Sequence, residues 1–82
     1  MNREWILHHL SEARDELDQA LTEIRETSDY GVGELLVTMS HAYHHLNTVW
    51  NSRDASEAAV LEPSEETFKK WSAFPTDIAP FE

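Results

Sequence analysis

Residues 3–26 read REWILHHLSEARDELDQALTEIRE, and this run decides the fold. Ile6, Leu10, Ala13, Leu17, Ala20 and Ile24 recur at alternating steps of four and three, the period of one helix face. Leu7 and Leu21 widen the stripe on one side, and no glycine or proline interrupts it. Glu, Leu, Ala and Arg, all good helix formers, dominate. The spacing predicts a long helix over about residues 3–27.

The next residues, TSDYGVG, combine polar side chains with two glycines and end that helix. A second unbroken run predicts a helix over about residues 32–53. Its seam is Leu35, Met39, Ala42, Leu46 and Val49, widened by Leu36, Tyr43 and Trp50. Two helices of similar length joined by a short loop pack antiparallel. The expected unit is a helical hairpin with matching apolar faces.

Beyond Arg53 the pattern shortens and three prolines appear. Asp54 with Glu57 has the spacing of a capping box for a short helical turn through Leu61. Pro63 stops that turn, Ser64 is a good N-cap, and a short helix is expected over about residues 65–73. Residues 74–82 read as an extended tail, with Phe74, Ile78 and Phe81 placed to fold back on the hairpin. A single all-α domain covering 1–82 is expected. One hairpin cannot cover stripes this wide, so two copies pairing into a four-helix bundle, a homodimer, is the favoured assembly; the competing one is a compact three-helix monomer whose aromatic tail closes the open side.

The chain carries 16 Asp and Glu against six Lys and Arg, a formal charge of −10, and no cysteine. Disulfides and thiolate metal sites are excluded together. The charge repels phosphate backbones and anionic membranes, which disfavours direct nucleic-acid or membrane binding, and it attracts a basic protein partner. The opening residues hold no long apolar run, so the expected setting is soluble and cytoplasmic.

Three of the five histidines fall in the stretch SHAYHHLNTVW, residues 40–50. His41 and His45 stand one helical turn apart, and His41 with His44 gives a second such pair, so either pair reaches one ion. A third ligand would come from Glu16 on the facing helix, set to approach His45, or from His9. On the hairpin's geometry His9 sits nearer Trp50 than His45 and would need a second subunit to join them. Such a set suits a divalent metal, Zn²⁺ or else Fe²⁺ or Ni²⁺. The alternative is that these are polar or interfacial histidines. A protonation role is also open, with neighbouring carboxylates expected to favour the charged imidazoles.

Nothing in the sequence marks a nucleophile, a phosphate loop or a metalloprotease motif. The expected function is therefore a non-enzymatic, acidic, self-associating interaction module that needs no cofactor. The alternatives are a metal-binding bundle, as an enzyme or otherwise, and an acidic nucleic-acid mimic. Of the tryptophans, Trp50 is expected in the core, and Trp5 at a subunit interface or against the tail.

Overall fold

A computed structural model describes residues 1–78. Four helices follow one another: α1 (Arg3–Glu26), α2 (Val32–Asn51), α3 (Glu57–Leu61) and α4 (Glu65–Ser72), with no strand among the described residues. The long helical hairpin and the short helix near residues 65–73 stand as the periodicity requires. Phe81 lies outside the described residues.

Each helix starts on a side-chain acceptor or donor read directly from the sequence. The Asn2 side chain takes the Trp5 N–H of α1. At the start of α2 the Glu34 carboxylate accepts the Gly31 N–H at 2.9 Å. A Cβ on Gly31 would lie 3.3 Å from that carboxylate, so glycine gives Glu34 room to close the turn. Ser56 caps α3 by accepting from Ala59 N, and Ser64 caps α4 by accepting from Thr67 N. The cap of α3 is thus Ser56 and not the expected Asp54, because a hydroxyl one residue before the helix meets the orphan N–H directly.

The C-terminal end of α4 is held by α2. Asn47 donates to Ser72 O at 3.0 Å, and Asn51 donates to Trp71 O at 2.8 Å and Ala73 O at 2.6 Å. Carbonyls in the last turn of a helix have no partner within it. Two asparagines one turn apart on α2 supply those partners.

The seam between α1 and α2 is the expected one only in part: Ala13, Ala20 and Ala42 lie in it, and the large aliphatic residues do not. Small and polar residues fill it: His9, Ala13 and Ala20 of α1 are buried, as are Ala42, Thr48 and Ser52 along α2. Leu10, Leu17 and Ile24 of α1, and Leu35, Met39 and Leu46 of α2, expected in that seam, are exposed. Helices approach more closely over alanine than over leucine, so the alanine stripe draws the hairpin together. The leucines are rotated off to one side.

At about 100° per residue, the open apolar stripe of each long helix lies roughly 110–120° from the seam. The two helices run antiparallel with the same rotational offset, so both stripes fall on the same side of the hairpin. The residues of α2 that meet α4 lie on the other side. The hairpin therefore carries α4 on its back and an apolar front that stays open except where Phe74 lies against Tyr43.

Candidate functional site

The front is built at heptad spacing on both helices. On α1 it comprises Leu7, Leu10, Arg14, Leu17, Leu21 and Ile24; on α2 it comprises Leu36, Met39, Tyr43 and Leu46, with Val32 and Leu35 at the loop end. All of these apolar residues are exposed, from 36% for Met39 to 83% for Val32. By contrast, the buried apolar side chains among the described residues are Ala13, Ala20, Ala42, Val60 and Trp71. Nearly every large aliphatic side chain of the hairpin faces outward.

The overall dimensions agree. The accessible surface is 6480 Å², whereas a compact monomer of this mass exposes roughly 5,000 Å². The radius of gyration is 14.6 Å, against roughly 12 Å for a compact chain of this length. The open front of the hairpin and the exposed residues after α2, among them Leu61, Phe74 and Ile78, all contribute to the difference.

The second feature is the histidine seam. His9 Nδ1 and His45 Nδ1 stand 2.8 Å apart across the hairpin. The expectation that His9 needs a second subunit to reach His45 is overturned. The small side chains lining the seam leave room for both imidazoles to extend along it, across the turn that separates their backbones. One ring must carry its proton on Nδ1. His9 Nε2 is buried and has no hydrogen-bond partner. A buried N–H without an acceptor is costlier than a bare lone pair, so His9 is the donor and His45 the acceptor.

Rings continue from this pair in both directions. Trp5 packs edge-on against His9 at 4.3 Å and against Trp71 at 5.9 Å. His44 lies 5.3 Å from His45 and 5.0 Å from Phe68. Trp71 and Phe68 both belong to α4, so the six rings form a circuit that joins α1, α2 and α4. His8 adds a branch, 5.1 Å from His9.

Burial, reinforced by His45, His8 and His44, pushes the His9 pKa down to about 4. Burial, then His45 and His41, also lowers that of His44. For these two the expectation of carboxylate-favoured imidazolium is wrong. Their neighbours are other histidines and aromatic rings, and the carboxylates lie elsewhere.

Glu16 approaches His41 at 3.3 Å and does not meet His45. His41, largely exposed, stays with Glu16 near the middle of the hairpin, and His44 turns towards Phe68. The five expected ligands thus separate into a His9–His45 pair, a His41–Glu16 pair and His44. Among the described residues no three His, Asp or Glu side chains converge as a metal site.

The tryptophans are also placed differently. Trp50 is half-buried and not in the core, because its ring lies under the Arg53 guanidinium, 4.0 Å away. Its indole N–H donates to Asp77, which also pairs with Arg53 at 2.9 Å. Trp5 is engaged within the chain. Its indole N–H donates to Ser52 Oγ at 2.8 Å, and its ring meets Trp71 of α4. Phe74 does fold back, 5.2 Å from Tyr43.

Sequence reasoning missed Asn47, Asn51 and Ser52. Their signal was present as polar residues spaced by one turn on a helix side that hydrophobicity had left unassigned. No helix among the described residues is long and apolar enough to cross a membrane. Comparison with family models, with curated proteins and with solved structures gives no match to this chain.

Proposed function

We propose that this protein is a non-enzymatic, self-associating helical module. Two hairpins close front to front into a four-helix bundle, and the acidic exterior of the dimer is offered to a basic protein partner. The observation that carries the reading is the division of labour within each long helix. The intrachain seam uses alanine, histidine, threonine and serine, while the leucines are kept on an open face two helices wide.

A second copy of the chain is the occupant that best fits. Its front has the same width, length and heptad spacing. The excess of about 1,400 Å² over a compact monomer is shared between the front and the residues after the hairpin, and it is larger than the roughly 800 Å² that each partner loses in an ordinary stable complex. A chain without cysteine and with an alanine-filled interior has few other sources of stability. The formal charge of −10 sits mainly on the flanks and back, where it keeps the assembled bundle soluble and attractive to cations.

The test is the melting temperature as a function of protein concentration. Coupled folding and association makes it rise with concentration. A melting temperature independent of concentration over two decades, at a mass of one chain, defeats the reading.

A further inference from the structure

Between Leu7 and Ile24 the open front of α1 is apolar except at one place, and that exception has a geometric meaning. The heptad positions of α1 read Leu7, Leu10, Arg14, Leu17, Leu21, Ile24. Arg14 occupies the middle of α1 (Arg3–Glu26). Among the described residues its one ion pair is a loose 3.9 Å contact with its chain neighbour Asp15, both largely exposed. The guanidinium is therefore available to whatever covers the front. The pairs His9–His45 and Glu16–His41 bracket its level on the hairpin, which places Arg14 beside residues 42–43 of α2. Tyr43 is the front residue there, 42% exposed with the Phe74 ring packed against it at 5.2 Å. The same register sets Leu10 level with Leu46, and Leu17 level with Met39.

Two symmetric ways of closing the fronts cover the same leucines. In the first, the twofold axis runs along the helices, and each α1 lies against the α2 of the partner subunit at the same level. In the second, the axis crosses the helices at mid-height, and each α1 lies antiparallel to its own copy. Because Arg14 stands at mid-height, the second arrangement brings two guanidinium groups together in an apolar interface. Like charges withdrawn from water repel strongly and lose their hydration. The first arrangement sets Arg14 against Tyr43 of the partner subunit, whose ring face and hydroxyl both suit a guanidinium.

We infer that Arg14 selects how two copies pair, excluding the α1-to-α1 arrangement and fixing α1 against the partner's α2. A polar side chain at one heptad position is a known means of choosing register at some expense of stability. The inference rests on the homodimer reading above.

The chain has no cysteine, so single thiols report pairing directly. Leu10→Cys chains mixed with Leu46→Cys chains, and Leu7→Cys chains mixed with Leu21→Cys chains, are oxidised and the cross-linked products weighed. With Arg14 present, the first mixture gives the mixed disulfide dimer and the second gives at most a trace, because residues 7 and 21 meet only when α1 faces α1. Adding Arg14→Leu to both sets, with helicity checked by circular dichroism, raises the second product at least several-fold. Cross-linking of the second mixture while Arg14 is intact overturns the pairing. An unchanged second product in Arg14→Leu chains overturns the role of Arg14. A wild-type mass of one chain instead defeats the dimer itself, which keeps the two failures distinct.

Discussion

His9 donates from Nδ1 to Nδ1 of His45 across 2.8 Å of the hairpin seam. A proton gained by His9 goes to Nε2, which is buried without a partner, so the new charge is poorly solvated and faces His45, His8 and His44. The pair therefore ties α1 to α2 at neutral pH and opposes their contact in acid.

The sign of the pH dependence follows from the depressed pKa of His9. Its folded value of about 4 lies below the ordinary imidazole value of 6.5. Between these values the unfolded chain binds the proton and the folded chain does not. Unfolding free energy is thus at its full value above pH 6.5 and declines as pH falls towards 4. His44, also lowered, adds to the same slope. The expected result is a melting temperature that drops steadily between pH 6.5 and 4. His9→Gln, which cannot titrate, flattens that slope even if it lowers the melting temperature at pH 7. A wild-type melting temperature level across this range contradicts the buried neutral pair.

The apolar front gives a prediction about charge. Leu17→Glu and Leu46→Glu each place a carboxylate where the second hairpin packs, and neither residue contributes to the buried hairpin seam. Burying an unpaired charge costs several kcal/mol, enough to raise the dissociation constant by about 100-fold or more. Both variants are expected to sediment as monomers at concentrations where wild type does not. Thr22→Glu, on the exposed outside of α1, serves as the control and leaves association unchanged.

Docking of α4 depends on Asn47 and Asn51. Replacing Asn47 by Ala removes the donor to Ser72 O, and replacing Asn51 by Ala frees Trp71 O and Ala73 O. Each loss is expected to cost about 1–2 kcal/mol, because carbonyls at the helix end lose their partners. Hydrogen exchange should quicken in residues 65–72 and stay slow in the middle of α1. Uniform acceleration across the whole chain would show that α4 and the hairpin open as one unit instead.

The helices were legible in the sequence because a period of 3.6 needs no tertiary information. The steps from Ile6 to Ile24 and from Leu35 to Val49 define α1 and α2 to within a residue or two. Which face meets which neighbour was not legible. On α1 the expected stripe joins two adjacent rows, Leu10–Leu17–Ile24 and Ala13–Ala20, and hydrophobicity gives the first the greater weight. The hairpin uses the second because alanines permit close approach, and the leucines wait for a surface that a single chain does not supply. The histidines follow from this rotation. With the seam centred on Ala13 and Ala42 and not on the leucines, His9 and His45 turn inward together, and His41 is left outside with Glu16. The asparagine clamp on α4 was invisible for another reason: a polar residue on a helix shows its role only when the end of another helix is seen beside it.

The most direct measurement is sedimentation equilibrium of untagged protein at neutral pH across the micromolar range. The chain mass is 9.5 kDa, and a front-to-front dimer requires twice that value, falling to one chain in Leu17→Glu. A mass of 9.5 kDa for the wild type at every concentration would contradict the account at its centre.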